Sequence, residues 1–427
     1  MARKMKDSGI EWIGEIPEGW EVSQLKYVTR WKSEKGCPDA PVLSLYRDFG
    51  VVPKDSRNDN HNVTSLDTSN YKVVDIGDLV INKMKAWQGS MAVSDYRGIV
   101  SPAYHVCSIT SNKVNKRYLH HLLRNPAYLP EYARLSTGMR IGQWDLGFDD
   151  FKNIPFLIPP LDEQAKIADY LDNGCASLDA MLSKTRSSIE EYKKLKQAVI
   201  TQAVTKGVRG EREMKDSGVE WIGKIPREFD PVQLKFFCKL ITDGTHFSPT
   251  TVENGWPYIT AGDVHGIGLD YNSAKRISEE DFQLLVAQGC QPLKGDVLLV
   301  KDGATTGRVG FVDSDTPCVI LSSVAMLRPA DNTDGHYLMY LLASDFLQKQ
   351  ILVSMAGSAM PRTTLTKLTK YIGLLSPLHE QKEIANYLDA KCAEIDKLIA
   401  KKEQLIKELE SSKKSLIYEV VTGKREV

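Results

Sequence analysis

One stretch of this sequence occurs twice, and that duplication limits what the chain can fold into. Residues 160–206, PLDEQAKIADYLDNGCASLDAMLSKTRSSIEEYKKLKQAVITQAVTK, return as residues 377–423, PLHEQKEIANYLDAKCAEIDKLIAKKEQLIKELESSKKSLIYEVVTG, at a constant offset of 217 without a gap. Over the first 25 positions 13 are identical. Pro and Gly are almost absent inside both copies and apolar residues recur at heptad spacing, so each copy reads as one long helix. The seam of the first copy is Leu171, Cys175, Leu178, Leu182, Thr185, Ile189, Tyr192, Lys196, Val199 and Ala203. The seam of the second is Leu388, Cys392, Ile395, Ile399, Lys402, Ile406, Leu409, Lys413, Leu416 and Val420. Polar residues interrupt both at equivalent places, Thr185 with Lys402 and Lys196 with Lys413, a way of fixing register and partner choice. Each stripe is expected to pack on the other.

The terminal signals agree. Pro160 and Pro377 suit a first helical position, Ser376 suits an N-cap, and Asp162, Glu163 and Glu380 complement the positive helix terminus. Gly207 and Gly423 stand where C-terminal stops are expected. Gly174 is a weak point where the first helix can bend, since an interior Gly costs roughly 1 kcal/mol relative to Ala. A helix of about 44 residues spans roughly 66 Å, which suits a spacer better than the core of a globule. Taken alone, the helices also fit a coiled coil that only dimerises the protein.

The duplication extends further. Residues 5–17, MKDSGIEWIGEIP, return as residues 214–226, MKDSGVEWIGKIP, identical at 11 of 13 positions, and Gln24-Leu25-Lys26 returns as Gln233-Leu234-Lys235. The expected order is a leader with a first variable domain (1–158), a spacer helix (159–207), a second leader and variable domain (208–375) and a second spacer helix (376–427). The variable stretches, about 18–158 and 227–375, still share Gly77-Asp78-Leu79-Val80 with Gly295-Asp296-Val297-Leu298, and Tyr118-Leu119 followed by Leu122-Leu123 with Tyr337-Leu338 followed by Leu341-Leu342. Short β-rich runs at Tyr71–Val74, Leu79–Asn82, Val297–Val300 and Val319–Leu321 alternate with turn residues, and 118–123 and 337–342 read as short helices. The predicted class is α+β: two pseudo-symmetric mixed domains separated by two long antiparallel coiled-coil helices. An antiparallel pairing puts the two domains at opposite ends of the rod, although the roughly 20-residue joint between Gly207 and Pro226 is long enough for a parallel pair as well.

Composition narrows the class. At 427 residues and 42% apolar the chain can build two or three cored domains. No apolar run approaches a membrane span and the N-terminus lacks the apolar core of a secretory signal, so a cytoplasmic protein with no membrane partner is expected. The seven cysteines form no CxxC pair, which points to neither a disulfide framework nor a zinc site. Formal net charge is zero; residues 1–160 hold 21 basic and 18 acidic residues and residues 211–375 hold 16 and 20, so neither half is a non-specific polycation. Binding to DNA then requires local basic loops or a basic partner. Two heads facing one way on a rigid rod suit a duplex target with two half-sites spaced in units of its roughly 34 Å turn. Because the heads differ, the half-sites should differ.

The PLxEQxxIAxYLD helix starts, the two long helices, the repeated DSGxEWIGxIP leader, Asp243-Gly244-Thr245-His246 and the loop Lys301-Asp302-Gly303-Ala304-Thr305-Thr306-Gly307 together resemble the specificity subunit of a type I restriction-modification system. The resemblance covers nearly the whole chain. It implies two target-recognition domains, each reading one half of a bipartite asymmetric double-stranded DNA site, with the helices as a ruler. It also implies docking of two methyltransferase subunits and of motor-nuclease subunits. On that reading the chain is not an enzyme and binds no cofactor or metal, S-adenosylmethionine, ATP and Mg being used by the partners. The DGTH motif occurs only in the second domain, so its role does not transfer to the first.

Base edges are read by Arg, Lys, Asn and Gln, and phosphates position the reader. The candidate DNA-binding residues in the first domain are therefore Lys83, Lys85, Trp87 and Gln88, after the Gly-Asp strand, and Arg140, Gln143 and Trp144 in the stretch 136–144. In the second they are Lys301, Thr305, Thr306 and Arg308, Ser358 and Arg362 in the stretch 357–364, and Thr245 with His246. Asp48-Phe49-Gly50 resembles the kinase triplet without a catalytic loop, and no methyltransferase signature is visible. The competing readings are a pseudo-dimeric DNA-binding regulator, for which no helix-turn-helix signature speaks, and a structural coiled-coil adaptor.

Overall fold

A computed structural model describes residues 3–47, 49–57, 64–65, 67–138, 144–265, 268–355 and 361–427. The chain divides into two compact units, one formed by residues 1–186 with 404–427 and the other by residues 187–403. Each therefore takes its own leader and variable region plus a portion of both long helices.

In the first unit, strands Thr29–Lys32, Tyr104–Ile109, Leu79–Asn82 and Met91–Val93 lie in that order in an antiparallel sheet. In the second unit, Cys238–Asp243, Val324–Pro329, Val297–Val300 and Val309–Phe311 repeat the order. One side of each sheet is covered by a short helix, Lys116–Leu123 or Gly335–Ala343, whose buried Tyr118 and Tyr337 donate their hydroxyls to Leu157 O and Leu374 O. The leader hairpins pair Met5–Asp7 with Glu15–Pro17 and Met214–Asp216 with Lys224–Pro226 in the same register. The units diverge outside this frame. The second adds a sheet of Thr251–Val252, Lys275–Ile277, Trp256–Ile259 and Val319–Ile320, whose last pair is parallel, and covers it with the helix Glu279–Ala287. The first has hairpins Leu43–Tyr46 with Gly50–Pro53 and Lys72–Val74 with Gly98–Val100 instead.

The long helices run Leu161–Lys206 and Leu378–Val421. Each begins one residue after its proline, which places Pro160 and Pro377 just outside the first turn and Ser376 a further residue back. Their ends are at Gly207 and Gly423, which hold φ of +70° and +69°, a left-handed conformation that glycine adopts without a Cβ clash. The helix runs on through Gly174, the weak point of the first copy, and a Cβ there would stand 3.0 Å from Leu416 Cδ2. Close approach between helices accounts for this glycine.

Within each unit the two helices are antiparallel, fixed by the same ion pair made in opposite senses. In the first unit Asp179 Oδ1 lies 2.7 Å from Lys413 Nζ and Arg186 pairs with Glu410 at 2.8 Å. In the second, Asp396 Oδ2, the repeat counterpart of Asp179, lies 2.7 Å from Lys196 Nζ, the counterpart of Lys413. Lys402 sits over the Tyr192 ring at 5.6 Å, and Thr185 turns back to donate to Met181 O. The polar interruptions of the seam thus have assigned partners. Of the seam residues, Leu171, Leu182, Ile189, Leu388 and Ile395 are buried and Leu178, Ile399 and Ile406 half-buried.

The repeated PLxEQ motif is the tie between helix and domain. Gln164, fully buried, accepts from Asn115 N and donates to Lys113 O and Pro159 O. Gln381, also fully buried, accepts from Asp334 N and donates to Asn332 O and Ser376 O. One amide thereby satisfies backbone groups from both the helix start and the loop preceding each short helix, groups that burial would otherwise leave unpaired.

Candidate nucleic-acid interface

In the first unit the strand Leu79–Asn82 runs straight into a 3-10 turn, Lys83–Gln88. Ala86 is buried beneath it, leaving Lys85 and Gln88 exposed and Trp87 half-buried. Trp87 donates Nε1–H to Met84 O at 3.2 Å and meets the Trp144 ring edge-on, centroids 5.1 Å apart. Lys83 Nζ lies 2.7 Å from Asp145 Oδ2, on the strand Asp145–Leu146 that pairs with Ser136–Thr137. The structure therefore joins the two separately predicted stretches through Lys83, Trp87 and Trp144. Arg140 and Gln143 lie outside the described residues.

Beside this pair of loops stands a group that the sequence did not single out. Trp31 is 4.8 Å from His105 and 4.4 Å from Phe148, centroid to centroid, and Lys72 Nζ lies 5.1 Å from the Trp31 ring. His105 Nε2 donates to Leu146 O, tying the sheet to the hairpin. Burial, followed by the charges of Lys83 and Lys35, holds Lys72 below the ordinary lysine range. The only hint in sequence was Trp31 in a strand with polar neighbours, which periodicity alone assigns to a core.

In the second unit the equivalent strand leads to the 301–307 loop. Lys301 is 3% exposed and lies 2.8 Å from Asp302 Oδ2 and 3.3 Å from Asp243 Oδ2. Arg362 Nε stands 3.0 Å from Asp302 Oδ1, and Gly303 N and Thr363 N donate to Pro361 O and Lys301 O. Thr306 Oγ1 donates to Gly303 O at 2.7 Å and lies 3.3 Å from Pro361 O. Thus Lys301, Thr306 and Arg362 come together from two distant stretches. Thr305 is half-buried beside them and Arg308 exposed. Ser358 lies outside the described residues.

The DGTH motif divides by position. Asp243 faces Lys301; Gly244 has no room for a side chain, since a Cβ would fall 1.9 Å from Ile320 O; Thr245 is 5% exposed and its Oγ1 accepts from Phe247 N. His246 and Phe247 are exposed just beyond. The first three residues build the corner, and the fourth stands on its surface. Lys301 and Thr245 are buried parts of this scaffold, whereas Lys85, Gln88, His246, Arg308 and Arg362 offer exposed polar atoms. Guanidinium and ammonium groups in such positions can donate to phosphates or base acceptors. Among the described residues no group of His, Cys, Asp and Glu is arranged to hold a metal ion.

Comparison with known proteins places this geometry. Residues 17–191 and 226–411 each match the model of the type I restriction modification DNA specificity domain. The chain belongs to this family. It is a specificity subunit of the type I restriction-modification class with two recognition domains. The specificity subunit of the type I restriction enzyme MjaVIII from Methanocaldococcus jannaschii is 26% identical over 433 residues, spanning 96% of this chain and 93% of its own length. The putative MjaX specificity subunit of the same organism is 24% identical over 96% of this chain and 95% of its own. The EcoBI specificity subunit of Escherichia coli is 25% identical over 69% of this chain and 62% of its own. Two solved structures share the fold at 18% identity. A chain from a study of complex assembly and conformational transition of the type I R-M system superposes with a TM-score of 0.72, covering 96% of this chain and 99% of that one. The HsdS subunit from Thermoanaerobacter tengcongensis gives 0.51, covering 96% and 98%. Among the described residues no helix is long and apolar enough to cross a membrane.

Proposed function

We propose that each recognition domain of this specificity subunit reads one half of a bipartite, asymmetric double-stranded DNA site, and that the paired helices set the gap between the halves. The observation that carries this reading is the split between what repeats and what does not. The sheet order, the Gln164 and Gln381 ties and the interhelical ion pairs recur in both units. The loops that follow the central strands differ in sequence, in partners and in the added sheet of the second domain. A repeated frame with diverged loops is what recognition of two unlike half-sites requires.

In the first domain Lys83, Lys85, Trp87, Gln88 and Trp144, with Arg140 and Gln143 of the adjoining stretch, form the reading surface. In the second it is His246, Thr305, Thr306, Arg308 and Arg362, held by the Lys301 and Thr245 scaffold, and Ser358 of the adjoining stretch is assigned to the same role. The chain performs no chemistry itself. It selects the adenine that two methyltransferase subunits modify with S-adenosylmethionine, and in the full complex it directs motor-nuclease subunits that use ATP and Mg, all within the cytoplasm. Near-zero net charge is compatible with this role when partners supply further phosphate contacts.

The test is single-molecule sequencing of N6-methyladenine in host DNA, with and without the gene, followed by replacement of residues 18–158 with another variable domain. A bipartite motif that vanishes on deletion, and of which only one half changes in the exchange, supports the proposal. A motif in which both halves change together refutes the division of labour between domains.

A further inference from the structure

Both units carry the same exposed ring on the same rigid turn. After Gln24 and Gln233, Leu25–Tyr27 and Leu234–Phe236 each fold a 3-10 turn in which the leucine is fully buried. The turns are pinned to the opposite strand ends by Leu25 N to Ile154 O and Lys26 N to Lys152 O, and by Leu234 N to Tyr371 O and Lys235 N to Thr369 O. The aromatic residue that follows points outward: Tyr27 is 69% exposed and Phe236 56%. Over each ring sits the ammonium of the preceding lysine, at 5.2 Å for Lys26 and 5.0 Å for Lys235.

Large exposed rings on fixed backbone contribute nothing to the core, and they are the side chains that most often anchor protein interfaces. These two are kept in the duplicated frame, not in the diverged loops, so what they touch is common to both heads. Because the half-sites differ, that common ligand is one partner present in two identical copies. The chemistry favours protein over phosphate. The hydroxyl of Tyr27 has no counterpart in Phe236, so the ring is the shared feature, and Lys26 is folded back over its ring and within 3.1 Å of Asn153 Oδ1. A ring capped by a cation fits an apolar pocket with a carboxylate at its rim.

We propose that Tyr27 with Lys26 and Phe236 with Lys235 are two equivalent docking points, each engaging the same acidic-rimmed apolar pocket on one of two copies of the methyltransferase subunit. This rests on the function proposed above, and it assigns the contact to specific residues outside the long helices. The test uses the full chain and its purified methyltransferase partner, with assembly read by native mass spectrometry and by sedimentation. Tyr27→Ser and Phe236→Ser should each leave one of two partner copies bound roughly 30-fold more weakly, and the double variant both, while Tyr27→Phe binds as the parent does. Lys26→Glu with Lys235→Glu, which keeps the rings, should also weaken both sites. Thermal unfolding of all variants should match the parent, since the altered side chains are exposed. If the parent chain takes up no methyltransferase, the functional reading fails and this proposal with it. If the parent binds two copies and the double serine variant also binds two with unchanged affinity, this proposal alone is overturned. It is equally overturned if assembly is intact and only DNA binding drops.

Discussion

Glu380 Oε1 lies 2.5 Å from Arg212 Nη1 in the second unit, with the glutamate side chain 2% and the arginine 13% exposed. Arg212 also caps the Phe229 ring at 5.0 Å. The repeat counterpart in the first unit joins Arg3 to Glu163 at 2.6 Å, with Arg3 over Trp20 at 5.5 Å, but at 28% and 20% exposure. The same leader-to-helix clasp is therefore dry in one unit and wetter in the other. Removing one partner of a buried pair strands the other, at a cost of about 3–5 kcal/mol, whereas exposed pairs are worth about 1 kcal/mol or less. Glu380→Ala should lose about 3 kcal/mol of local stability. Glu163→Ala should lose about 1–2, part of it from the Trp20 Nε1–H that Glu163 also accepts. Hydrogen exchange over residues 214–226 and 5–17 reads the two effects separately, and equal protection losses would contradict the burial argument.

Gln164 and Gln381 make matching sets of hydrogen bonds to backbone groups in otherwise apolar surroundings. Replacement by Ala leaves those donors and acceptors unpaired, so Gln164→Ala and Gln381→Ala should each cost about 2–3 kcal/mol. Glu at either place should be as damaging, because a carboxylate cannot donate to the two carbonyls. Thermal denaturation of the single variants checks this. A shift of less than a degree or two in either would show that the amide is replaceable by water.

These ties explain how far the sequence could be read. The long helices, the repeated leader, the strands Leu79–Asn82 and Val297–Val300 and the short helices after Tyr118 and Tyr337 all carry local periodicity, and they fold where periodicity places them. Of the added sheet of the second unit only Val319–Ile320 was legible, because the other strands are two to four residues long and pair across distant positions. The candidate loops were legible as loops but not as partners. Nothing in the spacing of Lys301 and Arg362 reveals that Asp302 sits between them, and nothing marks Lys301 as buried. Charge type suggests a surface, but only tertiary packing shows which charges neutralise one another inside the domain.

His120 offers a pH test. Burial, then the neighbouring Arg124 and His121, pushes its pKa from the ordinary 6.5 down to about 3, and its Nδ1 accepts from Val93 N. The unfolded chain takes up a proton below about pH 6.5 that the native state refuses, so stability falls as pH drops from 6.5 toward 3. The slope from this one group is at most about 1.4 kcal/mol per pH unit. His120→Gln keeps an acceptor for Val93 N and cannot titrate. Denaturant unfolding of the first unit at pH 7 and pH 5 should therefore show a smaller acid loss in the variant, by up to about 2 kcal/mol. Parallel losses would mean that the imidazole stays solvated.

Lys301 and Arg308 separate scaffold from reader in the second domain. Both are basic residues of one loop, but Lys301 is buried between Asp243 and Asp302 while Arg308 is exposed, its backbone held by Thr305 O and Val300 N. Lys301→Ala leaves Asp243 without its cation and Asp302 with Arg362 alone, so it should destabilise the domain by about 2–3 kcal/mol. Arg308→Ala removes an exposed charge and should change stability by less than about 0.5 kcal/mol. If Arg308 reads DNA, its loss should weaken recognition by about 1–3 kcal/mol and relax methylation at one half-site only. Calorimetry on both variants, paired with methylome sequencing, distinguishes the roles. A stable Lys301→Ala protein with a relaxed half-site would make the buried lysine a reader after all. An Arg308→Ala protein with an unaltered motif would move the reading surface to Arg362 and His246.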